Sequence, residues 1–211
     1  MKLLSILALV SFATATPFSR QQTVTGTIKS SVDTLASAVT SNLNDINTAV
    51  AAIKNNADAE VVAQLQADVK ANYQAILDAL NTATTSIVGV TTGAAGGVAA
   101  GAVGLTNQQI RQLTDALNTA RDTLSKIGAT VSVTVTDLTP ALRATFQAEI
   151  DAVKDAINPF ARPILLFAAA ARAAYVGVGV VITGLDQAIV SFIGILSSLV
   201  QTIGIPQIGG L

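Results

Sequence analysis

From Ile28 through Val32, Leu35, Val39, Leu43, Ile46 and Val50 to Ile53, apolar side chains recur at unbroken intervals of three or four residues. Only an α-helix, with its 3.6-residue period, gathers such a series onto one continuous stripe. A helix over 27–54 runs about 42 Å at 1.5 Å per residue. Asn42, Asn44, Asp45 and Asn47 take the opposite side, and Asn55-Asn56 stops the run. A stripe this long and this apolar has to be covered by other helices of similar length. The chain is thereby committed to helices packed on helices.

The same rhythm returns along the sequence. A second helix starts near Asp58 and carries Val61 or Val62, Leu65, Val69, Tyr73, Ile76 and Leu80, with Glu60, Asp68, Lys70 and Asp78 outside. Thr106-Asn107-Gln108-Gln109 has the form of a capping box, in which Thr106 and Gln109 satisfy each other's backbone donors. It opens a third helix with Ile110, Leu113, Leu117, Ala120, Leu124 and Ile127 on one face. Thr139-Pro140 is an N-cap followed by proline in the first helical position. The fourth helix it opens holds Leu142, Phe146, Ile150, Val153 and Ile157, and Asn158-Pro159 is expected to end it. Val131–Thr136 alternates like a strand, yet Ile127, Val131, Val135 and Leu138 also fall at helical spacing. A lone strand has no partner here, which favours a helix or an extended connector. After Pro163 only Arg172 and Asp186 are charged, and two further helices are expected over 160–183 and 185–203, broken around Thr183-Gly184. The expected fold is all-α: an antiparallel bundle of five to six helices.

The opening, Met1-Lys2-Leu3-Leu4 through Ala13 and Ala15, has one early cation, a short apolar run and small residues at a cleavage position. This is the pattern of a secretory signal peptide over 1–15, too short to span a bilayer. A short arm over 16–26 follows, then a helical hairpin over 27–85, a Gly/Ala-rich linker or lid over 86–105, the remaining helices over 106–205 and a tail over 206–211. A secreted chain usually carries disulfides, but this one has no Cys, so its stability has to come from packing. With neither Cys nor His, it can form no thiol nucleophile, no Ser-His-Asp triad and no zinc site of the common kind. Its formal net charge is −1, and no basic stripe interleaves with aromatics, which argues against nucleic acid as a partner. Hydrophobic residues make up 51% of the chain and charged ones 12%, where soluble domains have roughly a quarter charged. Such a surplus of aliphatic residues in a secreted chain points to contact with lipid, membrane or another apolar surface.

Gly89, Gly93, Gly97 and Gly101 stand four apart in a stretch that has no charge between Asp78 and Arg111. One reading is a glycine zipper, with helices packing backbone to backbone in a membrane. The other is a flexible linker, favoured in water because glycine costs a helix about 1 kcal/mol per residue. The stretch 188–205 is marginally long enough to cross a membrane. Its face of Ile189, Phe192, Ile193, Leu196, Leu199, Val200 and Ile203, opposed by Ser191, Ser197, Ser198 and Gln201, fits an amphipathic core helix better. The carboxylate pairs Asp58/Glu60 and Glu149/Asp151 are spaced two apart on polar faces and read as solvated charge rather than an acid–base pair. If a ligand pocket exists, the facing stripes of the third and fourth helices are its expected lining: Leu113, Leu117, Leu124, Phe146, Ile150 and Val153, with Phe167. No catalytic constellation, metal site or cofactor site is expected.

In the order of its features the chain resembles the fungal hydrophobic surface-binding protein A group, which includes cell-wall galactomannoproteins. A signal peptide leads into Thr16-Pro17-Phe18-Ser19-Arg20, then a helix like Val32–Ile53 and a second ending in Ala79-Leu80-Asn81-Thr82-Ala83-Thr84. The polar-capped third helix runs from Leu105-Thr106-Asn107-Gln108-Gln109-Ile110 through Leu113, Leu117 and Leu124, and the fourth from Leu142 to Ile157. The likeness covers roughly 20–160; the apolar segment 86–105 and the charge-poor C-terminal helices depart from it. It implies a secreted or wall-associated helical bundle that adsorbs to hydrophobic surfaces, holds fatty acids between its helices and in some members recruits a secreted hydrolase. The expected function is therefore non-enzymatic binding of hydrophobic surfaces or fatty-acid-like lipids through apolar helix faces. The alternatives are a membrane-active protein inserting through the glycine zipper and C-terminal helices, and a structural wall protein whose apolar residues are all core.

Overall fold

Three of the long helices begin where a short polar side chain holds the first free backbone N–H groups. The computed structural model describes residues 23–55, 58–92, 97–175 and 179–207. Helix α1 (Val24–Asn55) starts after Thr23, whose Oγ1 accepts from the Gly26 N–H at 3.1 Å. Helix α2 (Ala59–Thr92) starts after Asp58, whose Oδ1 accepts from Glu60 and Val61 at 2.9 and 3.2 Å. Helix α4 (Asn107–Asp137) opens on the capping box: the Gln109 N–H donates to Thr106 Oγ1 at 3.3 Å, and the Thr106 N–H donates to Gln109 Oε1 at 2.7 Å. Short helices α3 (Gly97–Ala102) and α5 (Pro140–Ala144) lie in the connections, and α6 (Gln147–Ala174) and α7 (Gly179–Ile203) complete seven helices, with no strand among the described residues. The chain is an all-α bundle. The segments 1–15 and 16–22, on which the leader and most of the arm were expected, lie outside the described residues.

Several boundaries differ from the sequence reading, each for a packing reason. Helix α1 takes in Val24–Gly26, expected in the arm, because Thr25 is buried and continues the inner stripe. Helix α2 runs on through Ser86 to Thr92, into the expected linker, because Ile87 and Thr91 extend the buried series Leu80 and Ala83. Val131–Thr136 is helical, as the last turns of α4, with Val131 and Thr134 buried. The helix opened by Thr139-Pro140 is brief. Phe146 donates its N–H to the Arg143 carbonyl at 3.0 Å, and this tight turn carries the fully buried Phe146 ring inward before α6 begins.

Asn158-Pro159 does not end a helix: α6 passes through both Pro159 and Pro163 to Ala174. Each internal proline costs a helix about 3 kcal/mol. Burial of Phe160, Ile164, Leu165 and Phe167 on the same face offsets this at about 1.5–3 kcal/mol per side chain. No break occurs at Thr183-Gly184: α6 ends at Ala174, and α7 runs through both residues.

Contacts at opposite ends fix the directions of the helices. Near the start of both helices, Thr25 Oγ1 donates to Gln112 Oε1 at 3.1 Å; near the end of both, Lys54 Nζ meets Asp137 at 3.3 Å. Helices α1 and α4 therefore lie side by side and run the same way, a departure from the purely antiparallel bundle expected. Lys70 of α2 meets Glu149 at the start of α6 at 3.7 Å, and Arg172 at the end of α6 pairs with Asp186 near the start of α7. Around the bundle α2 packs on α1, α1 on α4, α4 on α7, and α6 on α2, with α4 also reaching α6. The inward stripes form one continuous core.

One polar contact is sealed inside it. Tyr73 Oη lies 2.7 Å from Thr134 Oγ1, and Thr134 Oγ1 lies 2.9 Å from the Thr130 carbonyl, to which it donates. The threonine has a single hydroxyl hydrogen, so the tyrosine is the donor to it. Burial pushes the Tyr73 phenol up from 10.0 to about 12, against the opposing effect of its bond to Thr134. Below about pH 10 both folded and unfolded forms keep the proton. As the pH climbs from 10 towards 12 the unfolded chain loses it first, so stability is expected to fall by up to roughly 2–3 kcal/mol. Urea unfolding across that range is expected to show the fall in the parent protein, with the Tyr73→Phe variant losing that component.

Candidate hydrophobic-surface site

The C-terminal helix is made from residues that give it one face for the bundle and, on the other, a single charge at Asp186. Leu185, Ala188, Phe192, Leu196, Leu199 and Ile203 recur at threes and fours and are all buried. They seat α7 chiefly on α4. At the closest approach Leu199 occupies the space where Gly128 lacks a side chain: a Cβ on residue 128 would lie 2.2 Å from Leu199 Cδ2. Gly204, at φ 69°, donates its N–H to the Leu199 carbonyl at 3.1 Å and turns the chain so that Ile205 is buried.

On the outer side Val190 is 69% exposed and Ile193 37%, and beside them Gly194 faces open space. Farther along, Ser197, Ser198 and Gln201 are exposed and uncharged. The charge-bearing residue of α7 is Asp186, paired with Arg172. Ile182–Ile203, 22 residues, is long and apolar enough to cross a membrane by length and composition, yet 28% of its apolar stretch is buried in the bundle. A core helix of a soluble protein that meets the same test is mostly buried. Here the apolar helix has an outer face, and its adjacent Val190 and Ile193 differ from the isolated Val61, Val103, Val133 and Leu166 exposed elsewhere.

All seven residues expected to line a ligand pocket are in the core. Leu113, Leu117 and Leu124 on α4, Phe146 at the entry to α6, and Ile150, Val153 and Phe167 on α6 are fully buried and belong to the same cluster. The structure opens a groove elsewhere, about 460 Å³ between α1 and α2, bordered by Thr27, Ser31 and Thr34 on one side and Ala79, Thr82 and Ser86 on the other. None of its lining residues is charged. The Thr82 and Ser86 hydroxyls donate to the Asp78 and Thr82 carbonyls of their own helix at 2.8 and 3.0 Å. Lys29, beside the groove, is held by Asp33 at 2.6 Å. The groove offers shape and weak polarity without an anchor for a carboxylate. Its sequence signal was the run of small residues flanking the apolar stripes of both helices, which periodicity alone assigns simply to the surface.

The carboxylate pairs have structural partners. Asp58 caps α2, Glu149 meets Lys70, and Asp151 accepts from Gln147 at 2.8 Å and from Lys154 at 3.4 Å. No group of three or more His, Cys, Asp or Glu residues able to hold a metal occurs among the described residues. The glycine series is divided: Gly89 is in α2 and faces open space, Gly97 and Gly101 are in α3, and Gly93 lies outside the described residues.

No protein-family model, curated protein or solved structure matches this chain. The resemblance noted above thus rests on the rhythm and order of the helices in the sequence.

The burial of Phe167 yields a direct test of how closed the core is. Phe167→Ala is expected to lower the unfolding free energy by about 3–5 kcal/mol, the range for deleting an aromatic ring from a close-packed interior, as measured by urea denaturation near neutral pH. A much smaller loss would mean that the ring borders a space already open to solvent or ligand.

Proposed function

We propose that this is a secreted, non-enzymatic protein that binds hydrophobic surfaces or fatty-acid-like lipids through apolar helix faces, at the cell wall or outside the cell. The observation that carries the reading is α7, an apolar helix seated on the bundle by one face and bearing Val190, Ile193 and Gly194 on the other. Contact with an apolar surface removes these side chains from water at about 25 cal/mol per Å². That driving force has no preferred direction, so it selects for apolarity rather than for a chemical group. The secretory pattern of Met1–Ala15 supports an extracellular protein, and the exposed aliphatics of α7 support one that works by contact. Recruitment of a secreted hydrolase rests on the resemblance alone and would need a second surface, separate from α7.

Adsorption to alkyl-coated beads tests the reading. The Val190→Asp/Ile193→Asp variant is expected to bind at least about tenfold more weakly than the parent, equivalent to ~1.4 kcal/mol. Because α7 presents no unpaired charge, binding by the parent is expected to persist from low salt to about 1 M, where charge attraction is screened within about 3 Å. Equal adsorption of variant and parent would remove α7 as the contact face.

A further inference from the structure

We propose that α7 leaves its seat on α4 and crosses a fluid bilayer as a single span, with the other helices remaining on one side. The inference rests on the hydrophobic-surface reading and adds to it both a partner, the hydrocarbon interior of a membrane, and a movement. Length is the first support: Ile182–Ile203 is apolar enough to cross a membrane, and the 17 residues beyond Asp186 make a helix of about 26 Å, at the short end of what spans a hydrocarbon layer of about 30 Å. Charge is the second. Beyond Asp186 no side chain in the sequence is charged, so the span carries none through the bilayer, and Asp186 with Arg172 marks the level where the helix meets water. The polar side chains it does carry are short or amide-bearing and uncharged, and the Thr202 hydroxyl donates to the Ser198 carbonyl of its own helix at 2.9 Å.

The seat itself is the third support. Lipid tails are as apolar as leucine, so the inner stripe Leu185, Phe192, Leu196 and Leu199 loses little when it exchanges α4 for hydrocarbon. Val190 and Ile193, wet in the bundle, gain by the same exchange. Helix α7 also touches α6 much less than it touches α4, so a single interface is the main one to open. Adsorption without insertion would leave α7 on α4 and lay only its outer face on the surface.

The chain has no Trp and no Cys, which allows both to be introduced as unique probes. In the full-length Ile193→Trp variant the indole lies near the middle of the span. It is expected to be quenched more strongly by phosphatidylcholine brominated deep in the acyl chains than by the same lipid brominated near the headgroup. Shallow quenching would overturn insertion while leaving surface binding intact; no quenching by either lipid would overturn surface binding as well. Adding Gly128→Cys and Leu199→Cys tests the movement, since Leu199 Cγ, the position a sulfur would take, lies 3.7 Å from a Cβ on residue 128. With an S–S bond of about 2.0 Å, a disulfide sulfur stands about 3 Å from the partner's Cβ, so a small side-chain shift closes the bridge. The oxidised protein is expected to show shallow quenching and the reduced protein deep quenching. Deep quenching in the oxidised state would overturn release from α4. If the cysteine variant does not fold, the depth measured for Ile193→Trp alone still decides whether the helix inserts.

Discussion

Everything in this bundle depends on α4. It is the helix touched by α1 along its whole length, by α7 on another side and by α6 across the core. A helix with that many neighbours has to bury more than one stripe, and α4 does: beside Leu113, Leu117, Leu124 and Val131 it buries Ala116, Ala120, Thr123, Gly128 and Thr130. Small residues occupy the extra positions because a second row of leucines would hold the neighbouring helices too far apart to touch one another. With no disulfide to fasten the chain, this close approach is what keeps five long helices in one register. The sealed Tyr73–Thr134 contact works in the same direction. A buried hydroxyl pair can be satisfied in only one alignment of α2 against α4, whereas aliphatic stripes tolerate sliding by a turn.

The helices divide by how they meet water. On α1, α2, α4 and α6 the outer faces carry charged residues, and Lys29–Asp33, Lys54–Asp137 and Lys70–Glu149 tie them together or along their own length. Such exposed pairs contribute little to stability, up to about 1 kcal/mol each. Their larger effect is to keep those faces hydrated and incompatible with a membrane. Helix α7 lacks this protection after Asp186. Its outer face keeps water only through uncharged side chains, Gln187, Ser191, Ser197, Ser198, Gln201 and Thr202, beside Val190 and Ile193.

Much of the architecture was legible in the sequence, and the parts that were not share a cause. Periodicity identifies which residues face inward, so Ile28 to Ile53, Val69 to Leu80 and Ile110 to Ile127 are buried as their spacing requires. Local chemistry identifies starts, because a capping hydroxyl or carboxylate acts within three residues, as at Thr106 and Asp58. Ends are harder. Asn158-Pro159 has the chemistry of a stop, but whether it acts as one is decided by Phe160, Ile164 and Phe167 finding cover in a distant part of the chain. The parallel pairing of α1 with α4 is likewise a property of the assembled bundle and leaves no mark on either stripe. Whether a buried stripe faces a pocket is hidden for a related reason. A stripe of Leu113, Leu117 and Leu124 has the same sequence whether it faces a cavity or packed side chains, and here it is fully buried with Phe146 and Phe167.

That burial bears on where lipid can act. An acyl chain entering among Phe146, Phe160, Phe167 and Phe192 has to part side chains whose contacts are lost unless the ligand replaces them. The outer face of α7 is free of this cost, because contact there removes water and disturbs no packing. The groove between α1 and α2 is open as well, but Thr27, Thr34, Thr82 and Ser86 make its border weakly polar. Helix α7 combines accessibility and adjacent exposed aliphatic side chains with no charge after Asp186. A protein that binds by burial at this position recognises the dryness of a surface rather than the identity of a molecule. Its selectivity would lie in the bundle that holds α7 back from every other apolar surface it meets.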